Sequence, residues 1–368
     1  MKLRYKILTG LATVLGLGVG AFAFTVSYDQ SCPAMLEPPG GIETIQAIRQ
    51  QCYGLPQGMR LETVAKPVPV EGQLLIKVRA ASVNPAEWHE ATGQPMLFRF
   101  SFGIGKPDDV RAGYDVAGIV EAVGPGVTRF KPGDEVFGGV PGALAEYVIA
   151  REQGNIVAKP AQISFEEAAA IPIAAITALQ GLRDQGHIAA GQKVLINGAS
   201  GGVGTFAVQI AKHFGAEVTG VCSTRNVEMV RSIGAHHVID YKTRNFTAGP
   251  EKYDLILDNI GNHGFFDLEK VVKPGGVIVI VGGSKTDPWL GPMKRVVWSM
   301  IADHFVEPRL PFFIANLNPP DLEWLAGLVR EGKLKSVIDR QYSLAQTGTA
   351  LQYLGGGHAR GKIVISVP

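Results

Sequence analysis

The chain is poor in cysteine and has no excess of charge of one sign. Only 3 of its 368 residues are cysteines, and none lies in a CxxC pair or a Cys/His cluster, so a structural zinc lobe with four close ligands is excluded. With 35 basic and 33 acidic residues, the net charge is +2. No Lys/Arg block is interleaved with aromatic residues, and we therefore expect no nucleic-acid partner.

One long uncharged stretch lies at the N-terminus. Lys2, Arg4 and Lys6 precede it, and residues 7–26 carry no charge. About twenty apolar residues suffice for a helix to span a bilayer, and the positive flank favours a cytoplasmic start with the rest of the chain outside. Three interpretations are open for residues 1–26: a membrane anchor, a cleaved signal, and a buried helix or misassigned start. We expect membrane association if the segment is an anchor, and export if it is cleaved.

The rest of the chain divides by its periodicity. Residues 27–45 are rich in proline and glycine and are typical of a linker. From 46 to 165 the patterns predict strands, and from 166 to 309 strands alternate with helices. Such alternation predicts a doubly wound parallel sheet of Rossmann type, and the fold class is therefore α/β. Residues 310–368 return to a helix and a final strand.

A glycine-rich turn, "NGASGGVG", follows an apolar strand and opens a helix. Its A-x-G-x-x-G spacing lets the backbone turn tightly and lets a pyrophosphate approach the N–H groups of the helix N-terminus. Its position inside a strand–helix–strand unit supports a dinucleotide site. The predicted contacts are Ala199, Ser200, Gly201, Gly202, Val203 and Gly204.

The second strand of that unit does not end in an acid. A carboxylate expected about twenty residues after the glycines would hold the adenosine ribose of NAD. Ser223, Thr224 and Arg225 stand there instead, and these groups can donate hydrogen bonds to a 2′-phosphate. The sequence therefore favours NADPH. The alternative is that Arg225 is a solvated residue and that NADH is used as well.

Three separated motifs, "GYDVAGIVEAVGPGVTRFKPGDEVFG", "NGASGGVG" and "HARGKIVI", resemble the medium-chain dehydrogenase/reductase superfamily, specifically its zinc-independent, quinone-oxidoreductase-like (zeta-crystallin-like) branch. The resemblance implies a GroES-like substrate domain over 46–165, completed by 310–368, with the Rossmann domain 166–309 inserted. It places the active site in the cleft between them, and it implies a homodimer, since relatives are often dimers.

Zinc-dependent members of the superfamily carry a cysteine where this chain has Asn84, and Gly-His-Glu where it has Gly113-Tyr114-Asp115. Both ligand types are replaced, so no catalytic metal is expected. Asn84, His89 and Tyr114 are the candidate donors to a substrate oxygen. The alternative for His89 is a packing role at a domain edge.

The resemblance also implies further coenzyme contacts. Thr177 matches a threonine near the nicotinamide, and Tyr241 matches a tyrosine near the 2′-phosphate. Asn259 and the pair Gly282-Gly283 end Rossmann strands, where ligands bind in open α/β sheets. Asn316 aligns with a further contact. For the basic residues of the closing motif, among them Lys362, a surface position and a phosphate contact are both open.

The predicted function is an NADPH-dependent, zinc-independent reduction of quinones or α,β-unsaturated carbonyl compounds, with a lipophilic substrate. The alternatives are an alcohol or aldehyde dehydrogenase of the same superfamily and a non-catalytic, membrane-associated NADPH-binding protein. If the domain lies outside the cytoplasm, Cys32 and Cys52 can pair and close a loop worth about 3 kcal/mol. Burial of Cys52 as a free thiol is the alternative.

Overall fold

The structure, a computed structural model, describes residues 20–35, 38, 40–283 and 287–368 of the chain. Its strands form sheets of two, five and seven strands. The two larger sheets and the helices between them position the candidate site.

The seven-stranded sheet and the small hairpin are built from both ends of the chain. Their strands are β1 Thr44–Gln50, β2 Met59–Ala65, β3 Gln73–Val83, β4 Asp115–Val123, β5 Glu135–Gly139, β6 Tyr147–Arg151, β7 Ile156–Ala158, β13 Ile338–Ser343 and β14 Lys362–Ser366. The order is β13-β14-β3-β4-β5-β7, β6 also pairs with β3, and β1-β2 is the hairpin. β14 pairs antiparallel with β3, so the C-terminal strand completes a sheet begun some 280 residues earlier; Ile363, for example, lies opposite Val83.

The strand–helix alternation of the middle segment is present as a parallel five-stranded sheet. Its strands are β8 Lys193–Asn197, β9 Glu217–Cys222, β10 His237–Asp240, β11 Tyr253–Asp258 and β12 Val272–Ile280. The order is β10-β9-β8-β11-β12, with every neighbouring pair parallel. The apolar runs of β8, β11 and β12 are buried because helices cover both faces of the sheet.

The helices lie around and between the sheets. They are α1 (residues 20–27), α2 Pro85–Thr92, α3 Arg99–Phe102, α4 Phe165–Ala169, α5 Pro172–Gln180, α6 Gly202–His213, α7 Val227–Ser232, α8 Phe265–Glu269, α9 Met293–Ala302, α10 Pro319–Arg330 and α11 Thr347–Gly355. One hydrophobic cluster continues from the seven-stranded sheet (Ala117, Phe137) through α5 (Ala175) into the parallel sheet (Ile196). The two sheets therefore share one hydrophobic core.

The predicted N-terminal apolar helix is not supported as a membrane-crossing element. Residues 1–19 lie outside the described residues. In the part of the chain that the structure describes, no helix is both long enough and apolar enough to cross a membrane. In the described part of α1, the hydroxyl groups of Thr25 and Ser27 in the last turn donate to the carbonyls of Ala21 and Ala23.

The segment after α1 is attached to the rest of the chain. Cys32 and Cys52 form a disulfide with a Cα–Cα distance of 5.0 Å, which decides the pairing that the sequence left open. The buried guanidinium of Arg99 lies 2.8 Å from Asp29 Oδ1 and donates to the carbonyl of Val26 at 2.9 Å. These contacts hold the segment against α3.

Candidate active site

The glycine turn has the geometry that its spacing predicts. Gly198 has a φ of 80°, in the left-handed region that favours glycine. A Cβ on Gly204 would lie 2.1 Å from the carbonyl oxygen of Gly198, so the turn closes only with glycine there. Gly201 is the N-cap of α6, and no side chain of the described residues caps that helix. Its first N–H groups are therefore available to an anion.

A residue that the sequence analysis missed joins this turn to the end of β9. Asn226 Nδ2 donates to Ser200 Oγ at 3.0 Å and to Ser223 Oγ at 3.3 Å. Asn226 Oδ1 is buried and has no hydrogen-bond partner among the described residues. An orphaned buried acceptor beside the predicted coenzyme contacts fits a ligand that brings its own donor, such as a ribose hydroxyl.

The ends of β9 and β10 carry the predicted 2′-phosphate contacts. Arg225 Nη2 donates to the carbonyl of His358 at 2.5 Å, so the guanidinium is held beside the closing motif. A hydrogen bond from Thr224 lowers the pKa of Asp240, an acid that the sequence analysis did not consider. Tyr241 follows Asp240 and is 52% exposed. The structure thus places the predicted residues at one sheet edge, together with one carboxylate.

In the parallel sheet, the end of β8 lies next to the end of β9, and the end of β11 lies next to that of β8. Asn259 Nδ2 donates to the carbonyl of Asn197 at 2.9 Å, while Asn259 Oδ1 is a second buried acceptor without a partner in the described chain. Gly282 must be glycine, because a Cβ there would lie 2.2 Å from the carbonyl oxygen of Asn259. Arg295 Nη2 lies 2.5 Å from Oδ2 of Asp258, whose side chain is fully buried. The sequence did not indicate this ion pair.

Thr177 lies on α5, and Asn316 lies beside the C-terminal end of that helix. Thr177 Oγ1 donates to the carbonyl of Ile173 at 2.7 Å. One turn later, Gln180 Nε2 donates to the carbonyl of Asn316 at 2.8 Å, and the N–H of Asn316 donates back to Gln180 Oε1 at 2.9 Å. The backbone of Asn316 is therefore fixed against α5, beside a cavity of about 420 Å³ that both Gln180 and Asn316 line.

A buried polar network lies under the cleft, and Asp115 is its centre. Asp115 Oδ2 accepts from Ser82 Oγ at 2.8 Å and from Asn84 Nδ2 at 2.9 Å, and it lies 3.2 Å from Lys362 Nζ. Asp115 Oδ1 accepts from the N–H of Ile173 at 3.0 Å. Since Ile173 lies in the first turn of α5, this carboxylate ties the seven-stranded sheet to the helix that carries the predicted nicotinamide contact.

Lys362 is not a surface residue, which corrects one of the two sequence-based alternatives, and the phosphate contact stays a prediction. Its side chain is 3% exposed, and its ammonium donates to Asn84 Oδ1 at 2.5 Å and to the carbonyl of Val83 at 3.4 Å. Its Cδ would lie 3.1 Å from a Cβ on Gly202. The preceding residue, Gly361, donates to the carbonyl of Ser200 at 2.8 Å. The closing motif thus packs against the glycine turn and donates a hydrogen bond to it.

Asn84 is the N-cap of α2, and its amide is occupied by neighbours. The backbone N–H of Asn84 donates to Glu87 Oε2 at 3.0 Å, and Nδ2 lies 3.4 Å from Glu87 Oε1. Burial, with a further contribution from Asp115, raises the pKa of Glu87 to about 8. The amide hydrogens of Asn84 thus point to the carboxylates of Glu87 and Asp115.

His89 is buried on the other side of α2. Its Nδ1 lies 2.6 Å from the carbonyl oxygen of Gln94, and because a carbonyl oxygen only accepts, Nδ1 carries the proton. The ring packs edge-on against Trp88 at 5.0 Å and Phe98 at 5.5 Å. The structure therefore gives His89 a packing environment, and its role as a donor stays a prediction.

Tyr114 faces a carboxyl group that the sequence analysis missed. The phenol donates to Glu90 Oε1 at 3.1 Å, and both side chains are half-buried. Burial raises the pKa of Glu90 to about 7, and burial beside Glu90 raises the pKa of Tyr114. A phenol bonded to a carboxyl group that titrates near neutral pH can move a proton.

Comparison with known proteins assigns the family. Residues 70–161 match the family model described as the alcohol dehydrogenase GroES-like domain, and residues 233–365 match the one described as zinc-binding dehydrogenase. The chloroplastic quinone-oxidoreductase homolog of Spinacia oleracea is 35% identical over 317 residues, which cover 82% of this chain and 92% of the relative. The chain belongs to the medium-chain dehydrogenase/reductase superfamily.

Other members of the superfamily agree with this assignment. The chloroplastic NADPH-dependent alkenal/one oxidoreductase of Arabidopsis thaliana is 34% identical, over 85% of this chain and 77% of the relative. The solved quinone oxidoreductase of Coxiella burnetii superposes with a TM-score of 0.76 at 31% identity, covering 89% of this chain and all of that one. The chain is therefore an oxidoreductase with a nicotinamide coenzyme, and its relatives are quinone-oxidoreductase-like.

The localisation predicted from the sequence is wrong. We predicted membrane association through an N-terminal anchor, or export after cleavage. The relatives from Spinacia oleracea and Arabidopsis thaliana are named as chloroplastic, and the described residues hold no helix that could cross a membrane. The uncharged stretch before residue 20 lies outside the described residues.

The family model's description names zinc, but the donor set here differs from a zinc site. By the resemblance of the motifs, Asn84 and Tyr114 stand where zinc-dependent members carry a cysteine and a histidine ligand. Within residues 20–35, 38, 40–283 and 287–368, no group of three His, Cys, Asp or Glu side chains could hold a metal ion. The absence of a catalytic metal remains a prediction, which metal analysis can test.

Proposed function

We propose that this protein is an NADPH-dependent, zinc-independent reductase of quinones or α,β-unsaturated carbonyl compounds. The observation that carries the proposal is the Tyr114–Glu90 pair, a phenol bonded to a carboxyl group where zinc-dependent relatives place a metal ligand. Relatives named for quinone and alkenal substrates support the same chemistry.

NADPH is the proposed coenzyme, and NADH is the alternative. Ser223, Thr224, Arg225 and Tyr241 offer donors at the ends of β9 and β10, where a 2′-phosphate would lie. Asp240 also lies there, but its carboxylate already accepts from the N–H of Lys242 and from Thr224. A carboxylate with its own donors is a weaker partner for a ribose hydroxyl.

The proposed site residues divide into two groups. The glycine turn and the two unpartnered acceptors, Asn226 Oδ1 and Asn259 Oδ1, would hold the coenzyme, together with Thr177, Gly283 and Asn316. When bound, the coenzyme supplies the hydride. Negative charge then develops on the substrate's carbonyl oxygen, and Tyr114 would meet that charge with its proton. Asn84 and His89 remain candidate donors.

The domain boundaries at 46–165, 166–309 and 310–368, the lipophilic character of the substrate and the homodimer are part of this proposal. Sedimentation of the purified protein would decide its oligomeric state.

Turnover together with binding tests the function. NADPH binding is measured by fluorescence, and NADPH consumption is measured with a panel of quinones, enones, alcohols and aldehydes. We expect binding and turnover with quinones or enones. Turnover with alcohols or aldehydes alone would favour a dehydrogenase, and binding without turnover would favour a non-catalytic role. Tyr114→Phe should lose most of the reductase activity, while Tyr28→Phe, at an exposed position, should keep it.

A further inference from the structure

Glu90 lies on α2 with its carboxyl group directed at the phenol of Tyr114, which immediately precedes β4. The backbone at Glu90 is fixed, because its carbonyl oxygen accepts from Gln50 Nε2 at 2.5 Å and from the N–H of Gly93 at 3.3 Å. The Oε1–phenol distance of 3.1 Å therefore belongs to a held geometry.

The direction of this hydrogen bond depends on where the protons are. A phenol has one proton. When the carboxyl group of Glu90 is ionised it can only accept, so the phenol proton of Tyr114 is used in the bond to Oε1. When the carboxyl group is neutral, its O–H can donate to the phenol oxygen, and the phenol proton is then free to point at a substrate.

The surroundings of Glu90 favour the neutral form at moderate pH. Burial is the main cause of the raised pKa of Glu90; the hydrogen bond with Tyr114 lowers this pKa, and the charge of Asp109 raises it. Asp109 is paired with Arg111, which also faces Tyr114. Glu87 on the same helix and Tyr53 after β1 add acidic groups, and each feels the charge of Glu90.

We propose that Glu90 is a positioning residue, which in its neutral form frees the phenol proton of Tyr114 for the reduced substrate and then replaces that proton. The proposal rests on the proposed function. It concerns a side chain that neither the motifs nor the family resemblance indicated, and it makes the proton supply dependent on pH.

The steps balance. Hydride adds to the electrophilic carbon of the substrate, and the O–H bond of Tyr114 breaks as a new O–H or C–H bond forms on the substrate. The O–H bond of neutral Glu90 breaks as the phenol is restored. Water then returns a proton to the carboxylate, so each turnover consumes NADPH, one proton and one substrate.

The test is the pH profile of the hydride-transfer rate. Single-turnover oxidation of NADPH is followed with the best quinone or enone between pH 5 and pH 10. For one proton with a pKa of about 7, the wild-type rate should fall about 100-fold from its plateau to pH 9. Glu90→Gln keeps a permanent donor to the phenol oxygen, so its rate should stay near the plateau across that range. Glu121→Gln, an exposed residue on β4, should keep the wild-type profile.

Each outcome is decisive. Tyr114→Phe should be slow at every pH and unchanged by adding Glu90→Gln, since Glu90 acts through the phenol. A wild type without an alkaline limb, or a limb that persists in Glu90→Gln, would overturn the role of Glu90 while the reductase stands. No turnover of any quinone or enone by the wild type would instead overturn the proposed function.

A second measurement, on the wild type, tests the proposal if the Glu90→Gln variant does not fold. Infrared titration of the wild type should show a neutral carboxyl band that disappears as the pH rises through about 7, separate from the band of Glu87, whose pKa is about 8. The band should shift in frequency in Tyr114→Phe, because the carboxyl group loses its partner. A wild type with no such band would contradict the proposal.

Discussion

Replacing Lys362 by methionine removes one half of a buried ion pair. The ammonium is 3% exposed, the carboxylate of Asp115 is 0% exposed, and their atoms are 3.2 Å apart. Methionine keeps most of the aliphatic stem that packs near Gly202. The variant therefore isolates the charge from the packing.

The expected loss of stability depends on the hydrogen bonds that Asp115 keeps after Lys362 is replaced. Breaking a buried pair by removing one partner costs about 3 to 5 kcal/mol, because the other charge stays buried without compensation. Asp115 retains donors from Ser82, Asn84 and Ile173 at 2.8 to 3.0 Å. We therefore expect the lower end, about 3 kcal/mol, which for domains of this size is about 6 to 12 °C in Tm.

The assay is thermal unfolding of three variants beside the wild type. Lys333→Met is the control, because its pair with Glu331 is exposed on both sides and worth at most about 1 kcal/mol. The double variant Lys362→Met with Asp115→Asn should recover most of the lost Tm, since no unpaired charge remains. A Lys362→Met protein that melts within a degree of wild type, or a double variant that melts lower than Lys362→Met, would refute the reasoning.

Three further changes are expected to have measurable effects. Arg225→Ala should raise the KM for NADPH by about 10- to 150-fold and leave the KM for NADH unchanged, because it removes a charged donor worth about 1.5 to 3 kcal/mol. Arg231→Ala is the control. An unchanged ratio of the KM for NADPH to the KM for NADH would show that Arg225 does not select the coenzyme. Gly204→Ala should abolish NADPH binding in calorimetric titration, because its Cβ would lie 2.1 Å from the carbonyl oxygen of Gly198. The control is Gly327→Ala in α10, where a Cβ meets nothing within 4 Å; this variant should be up to about 1 kcal/mol more stable than the wild type. Cys32→Ser opens a disulfide that spans 20 residues and should lower stability to urea by about 3 kcal/mol, a difference that should vanish when both proteins are reduced.

The sequence indicated those parts of the candidate site whose local geometry depends on neighbours along the chain, while their binding of a coenzyme stays a prediction. The glycine turn could be recognised because its spacing, the strand before it and the helix after it all lie within a few residues. The same holds for Ser223, Thr224 and Arg225, whose place follows from the end of β9. The apolar runs of the parallel sheet predicted buried strands for the same reason.

The parts that the sequence did not indicate are long-range pairs. Lys362 and Asp115 are 247 residues apart, and Tyr114 and Glu90 are 24 apart. A lysine in a terminal motif resembles any surface lysine until its strand is placed beside β3. Glu90 likewise resembles any glutamate on a helix, and only the fold directs its carboxyl group to the phenol of Tyr114. No spacing rule connects such residues.

The network leaves few side chains able to give a proton to the substrate. Lys362 has its ammonium directed at three acceptors, and the amide of Asn84 is directed at carboxylates. His89 holds the carbonyl of Gln94 with its Nδ1 proton. Tyr114 differs from these because the bond that occupies its proton reverses when Glu90 gains one. If the site holds no Lewis acid, as we propose, that reversibility makes the phenol the group best able to meet the charge that hydride transfer creates.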